Sequence, residues 1–167
     1  MTPRDRRLLT DLRDMEALAE GGGVSFRTEG DPPELYHLML TAPGLALDQR
    51  RTLAVRQLHR CDVYLHLDYP RRPPVVTWLT PVFHPNLLGP ERNGGVCIGS
   101  WSAAESLADL VVRLQDLVTY RSVNPIDALD LEAAAWVREH AVEAGADITT
   151  FAGAPIDEPV PAGGEAR

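Results

Sequence analysis

The sequence predicts an α+β domain: a leading helix and two late helices packed on a four-stranded antiparallel meander. Three observations lead there. Leu8, Leu12, Met15 and Ala19 recur at helical spacing near the start. Four short strand-like runs follow with close connections, which favours hairpins over crossovers. After a long aperiodic stretch, Leu107, Leu110, Val111, Leu114, Leu117 and Val118 form a strongly periodic apolar stripe.

The first helix has a start signal. Thr2 offers a capping hydroxyl, Pro3 suits the first helical position and Asp5 lies in the first turn. Leu9 and Leu18 widen its stripe, and Gly21-Gly22-Gly23 ends it. Strands are expected over residues 24–28, 35–41, 61–67 and 75–79, with Asp31-Pro32-Pro33 as the first turn. In the third, Cys61, Val63, Leu65 and Leu67 alternate with Asp62, Tyr64 and His66, so one face is apolar. Residues 45–57 fit either a sheet extension or a long loop. Tyr69-Pro70-Arg71-Arg72-Pro73-Pro74 is excluded from helix and central strand, because proline lacks the N–H and fixes φ. Residues 81–101 show no period, which in a compact domain points to function. Helices are expected over 103–120 and 130–144, separated by the Asn124-Pro125 break. Residues 1–145 then form one domain. The Pro/Gly/Ala-rich stretch 146–167 is expected to be a flexible tail.

With 167 residues the chain can bury one real core. A content of 44% apolar and 24% charged residues is globular in character. The net charge of −8 argues against a nucleic-acid surface and against anionic membrane. No apolar run approaches the ~18–20 residues that span a bilayer. The charged start MTPRDRRLLTDLRD has no signal-peptide core, and with only two cysteines a cytoplasmic location is expected. All 16 basic residues are arginine. The missing lysine excludes P-loop, Schiff-base and lysine-base chemistry, and fits GC-rich coding.

Three places could carry chemistry. Cys97 sits among Gly94, Gly95 and Gly99, where a large partner can approach a thiol; the alternative is a small buried residue. Cys61, on the apolar strand face, reads as core. In His84-Pro85-Asn86 the proline stiffens the turn, and the asparagine could offer N–H donors to an oxyanion or merely complete the turn. Asp127 could cap the last helix, or could position an incoming nucleophile.

Together these residues resemble a family. YPRRPPVVTWLTPVFHPN, GGVCI, WSAAESLADLVVRLQDLV and NPIDALDLEAA follow the order found in ubiquitin-conjugating enzymes, over roughly residues 4–144. The resemblance implies that fold, with Cys97 as the thioester cysteine, Asn86 supporting the oxyanion or the loop, and Asp127 orienting the attacking amine. His84, Pro85, Tyr69, Pro73, Pro74 and Trp101 take structural places. It implies a ubiquitin-like protein and an adenylating activating enzyme as partners, with an acceptor protein beyond them, and no metal or organic cofactor. There are departures. Ten residues separate Asn86 from Cys97, more than is usual, and only three separate Cys97 from Trp101. Gly99 replaces an acidic residue, and Arg71 an aromatic at the ligase-docking turn. With the arginine-only composition, these features look like bacterial relatives, whose setting is often antiviral defence. Two other readings remain at this level: a binding module of the same fold, and a cysteine hydrolase built on Cys97, His84 and Asp127.

Overall fold

The computed structural model describes residues 1–153 and Ile156. Helix α1 (Pro3–Glu20) opens with a full capping box between Thr2 and Asp5. Strands β1 (Val24–Gly30), β2 (Pro33–Leu47), β3 (Leu53–Tyr64) and β4 (Val75–Trp78) form one antiparallel sheet in sequence order. Helix α2 (Leu107–Val118) and helix α3 (Leu131–Glu139) follow, capped by Ser106 and Asp130. The expected α+β architecture is what the chain adopts.

Several boundaries differ from the sequence expectation. Residues 45–57 belong largely to the sheet: β2 and β3 pair as far as Leu47 and Leu53, and the Asp48 carboxylate accepts the Arg50 and Thr52 N–H groups in the turn. The strand pattern is hidden because pairing breaks between Thr41 and Gly44. A Cβ at Gly44 would lie 2.7 Å from His59 and 2.8 Å from Val118, so the close approach there requires glycine. β3 ends at Tyr64, and Leu67, expected on the apolar face, is 80% exposed. α2 begins at 107 rather than 103 because Ser106 caps it, and α3 stops at Glu139 rather than 144. Residues 146–153 pack on the rest of the chain. Val142 and Ile148 are buried, a 3-10 turn spans Ile148–Phe151, and the Gly153 N–H donates to the Leu53 carbonyl. The expectation for 154–167, Ile156 aside, lies outside the described residues.

Two apolar clusters position the site. The main one packs α1 and α2 on the sheet through Leu8, Met15, Tyr36, Cys61, Trp78 and Leu110. The second gathers Leu45, Phe83, Tyr120, Val137 and Ile148, and so anchors the start of the aperiodic segment. A buried carboxylate links the first helix to the proline turn. Asp11 accepts from the Tyr69 hydroxyl (2.7 Å), from Arg7 Nε (2.9 Å) and from the Leu107 N–H at the start of α2 (3.0 Å). Removing this carboxylate would leave three donors unsatisfied, a cost of about 1–3 kcal/mol for each that cannot reach water.

Candidate active site

The site is built from the His84-Pro85-Asn86 turn outward. His84 is fully buried, edge-on to Tyr120 at 4.5 Å between ring centres. Its Nδ1 accepts the Asn86 N–H (2.9 Å), and its Nε2 donates to the Ser122 carbonyl (3.1 Å). Burial holds the imidazole down at about 4, so it is neutral at pH 7. With both nitrogens engaged and no solvent access, His84 is a bracket and is not available as a base for a thiol. The hydrolase reading loses its base. Pro85 is buried, and its carbonyl accepts the Leu129 and Asp130 N–H groups.

Asn86 is 3% exposed, and its carboxamide is fully used. Nδ2 donates to the carbonyls of Asn124 (3.0 Å) and Asp127 (3.1 Å), while Oδ1 accepts the Asn124 N–H (2.9 Å). The Asn86 carbonyl accepts the Cys97 N–H at 3.0 Å. Asn86 thus ties the cysteine-bearing segment to the loop after α2. Both amide hydrogens are engaged by main-chain carbonyls in this structure.

The ten residues before Cys97 form a tight hairpin rather than a free loop. Leu87 bridges Val96, and the Leu88 N–H donates to Gly95. A 3-10 turn at Pro90–Arg92 closes the end. Gly94 has φ +62° and a Cβ there would overlap the Trp78 carbonyl, so glycine is required. Arg92 pairs with the nearly buried Asp130 carboxylate at the cap of α3. The longer spacing is accordingly folded away, and Cys97 emerges half-buried with a free thiol. Cys61 is wholly buried, and burial pushes its thiol far above the ordinary range.

Asp127 is exposed, and its carboxylate makes no hydrogen bond or ion pair among the described residues. It does not cap α3; Asp130 does, accepting the Ala133 N–H at 3.0 Å. Two hydrogen bonds through Asn86 connect the Cys97 backbone to the Asp127 backbone. A thiol and an uncommitted carboxylate are thereby held on one framework.

The remaining candidates form a brace. Trp101 Nε1 donates to the Pro70 carbonyl (2.8 Å), and its ring lies 6.0 Å from that of Tyr69. Pro74 is buried, and the Pro73 carbonyl lies 2.8 Å from His66 Nε2. These contacts hold the segment after Cys97 against the proline turn. Sequence reasoning missed Arg113 on α2. It donates to the Ile98 and Ser100 carbonyls, both at 2.7 Å, and pairs with Glu105. The available signal was a lone arginine within the apolar run LVVRL. Among the described residues no group of three or more His, Cys, Asp or Glu could hold a metal ion, and no helix is long and apolar enough to cross a membrane.

Comparison with known proteins establishes the class. A family model described as "Ubiquitin-conjugating enzyme" matches residues 36–151. The chain belongs to the ubiquitin-conjugating enzyme family. It is similar to "Ubiquitin-conjugating enzyme E2 2" of Candida glabrata, 29% identical over 143 residues covering 83% of this chain and 78% of the relative. The protein of the same description in Saccharomyces cerevisiae is also 29% identical, covering 83% and 76%. Among solved structures, a Toxoplasma gondii ubiquitin conjugating enzyme E2 domain superposes with TM-score 0.59 at 24% identity, covering 81% of this chain and 87% of that one, which bears on the fold alone.

Proposed function

We propose that this chain is a conjugating transferase that receives a ubiquitin-like protein as a thioester on Cys97 and passes it to an acceptor nucleophile. The observation that carries the reading is the half-buried, free Cys97 thiol joined through Asn86 to the exposed, unpaired Asp127. The Cys97 thiolate attacks the thioester carbonyl presented by an adenylating activating enzyme. A new C–S bond forms, the old one breaks, and the activating enzyme recovers its thiol. An acceptor amine then attacks the Cys97 thioester, Asp127 orients it and draws its proton, and the Cys97 thiolate leaves. ATP is spent by the activating enzyme, so this chain needs no cofactor of its own. The partners are a ubiquitin-like protein, the activating enzyme and an acceptor protein, in the cytoplasm. The domain is residues 1–153. The arginine-only composition and the altered spacings around Cys97 favour a bacterial, defence-associated setting, although the relatives this chain is similar to are eukaryotic.

The test is charging with ubiquitin or a ubiquitin-like protein, its activating enzyme and ATP. Wild type should give an adduct cleaved by added thiol, Cys97→Ser at most an oxyester, and Cys97→Ala none. An unchanged adduct in Cys97→Ala would defeat the proposal. A non-covalent binding module of the same fold would bind the modifier equally in all three proteins and form no adduct.

A further inference from the structure

The spent carboxamide of Asn86 leaves a question of mechanism: what receives the oxyanion formed on the thioester carbonyl? The three residues between Cys97 and Trp101 offer an answer. One guanidinium nitrogen of Arg113 takes both the Ile98 and Ser100 carbonyls, at 2.7 Å each, and the other binds the Glu105 carboxylate. Glu105 is itself fixed by accepting the Ser102 N–H at 2.9 Å. Gly99, between the two held carbonyls, has φ +75°. Both peptides are trans, so the carbonyl and N–H of each point in opposite directions. With the Ile98 and Ser100 oxygens drawn to α2, the Gly99 and Trp101 N–H groups face away from it. Neither has a hydrogen-bond partner among the described residues.

We propose that Arg113 is a positioning residue of the transfer site, which holds the loop after Cys97 so that the Gly99 and Trp101 backbone N–H groups serve as the oxyanion donors. The inference rests on Cys97 being the acyl carrier. As the amine adds, a C–N bond forms and the carbonyl π pair moves onto oxygen, where the two N–H groups stabilise it. Collapse restores the carbonyl, breaks the C–S bond and releases the Cys97 thiolate. The ammonium proton leaves to Asp127. Preset backbone donors cost no reorganisation at that moment.

The experiment avoids dependence on the modifier. Cys97 in a Cys61→Ala background is loaded by exchange with an acetylglycylglycine thioester, and single-turnover aminolysis by free lysine is followed by mass. Arg113→Met should still load but discharge about tenfold to a hundredfold more slowly, with the lysine concentration dependence unchanged. Added guanidinium ion should partly restore the rate of Arg113→Ala. A merely structural arginine would change thermal stability without rate rescue. Gly99→Ala supplies a second test, because its Cβ meets nothing within 4 Å while its φ becomes strained. It should fold and also discharge slowly. Wild-type discharge rates in folded Arg113→Met and Gly99→Ala would overturn the inference while leaving protein charging on Cys97 intact. Failure of the ubiquitin-like charging assay would instead overturn the proposed function.

Discussion

Replacing Asn86 by alanine separates a loop bracket from a chemical donor. The substitution deletes three side-chain hydrogen bonds, to the Asn124 and Asp127 carbonyls and from the Asn124 N–H, at a site 3% exposed. At about 0.5–1.5 kcal/mol each, the loss should be about 1.5–4.5 kcal/mol of stability, nearer the top if the freed groups stay dry. The Cys97 N–H bond to the residue-86 carbonyl survives, since it is main chain. Thioester formation should therefore persist below the melting transition. Discharge to amines should slow, because the Asp127 loop has lost its tether. A direct oxyanion donor would cost about 2.7–4 kcal/mol of transition-state energy independently of Asp127. A bracket acts only through Asp127. The assay is a double-mutant cycle on single-turnover discharge, with urea denaturation to score stability. Asn86→Ala combined with Asp127→Ala should be no slower than the slower single variant. Multiplicative losses, with the double variant still folded, would refute the bracket and restore Asn86 as a donor.

Asp127→Ala should slow transfer to amines more than to small thiols, whose attacking form is already anionic; equal slowing of both, measured in parallel discharge assays, would remove its role in amine positioning. Acid stability should follow two buried imidazoles, His84 and His59, each held by burial at about 4 against an ordinary 6.5. Between these values the unfolded chain binds protons that the folded chain refuses. Stability should be constant above about pH 6.5 and fall by about 1.4 kcal/mol per pH unit per histidine toward pH 4. Urea titrations across that range check it, and a flat profile would contradict the buried neutral state. Finally, the absence of lysine should make the charged protein persist as its thioester, with stable self-adducts confined to the Met1 amine or to hydroxyl esters such as on Ser100. Arg121→Lys, at an exposed site, should create a self-acceptor that mass mapping detects; its failure to do so would show that lysine absence protects nothing there.

The parts of the fold that were legible were those governed by local rules. The Thr2–Asp5 capping box, the periodic leucines of α2 and the excluded proline turn all follow from residue spacing and appear where expected. Residues 45–57 were ambiguous because the break beside Ala42-Pro43-Gly44 disrupts alternation, while the reason for it, contact with His59 and Val118, is long-range. Residues 83–97 show no period since side chains and remote backbone hold them: His84 by Ser122, Asn86 by Asn124 and Asp127, Gly94 by Trp78. The candidate residues were legible as an ordered set, but their roles were not. Whether Asn86 donates outward or inward depends on partners 38 and 41 positions away. Arg113 showed only as a lone arginine in an apolar helical run, because the Ile98 and Ser100 carbonyls it holds lie on the loop before α2.

The whole mechanism turns on Cys97 as the carrier of the modifier. The most direct measurement is peptide mapping by mass spectrometry of the charged protein, kept at mildly acidic pH without reductant. The modifier's C-terminal remnant should appear on the peptide containing Cys97 and be removed by added thiol, with the Cys61 peptide unmodified. A remnant on Cys61, or one on any residue that survives thiol treatment while Cys97 stays free, would contradict it.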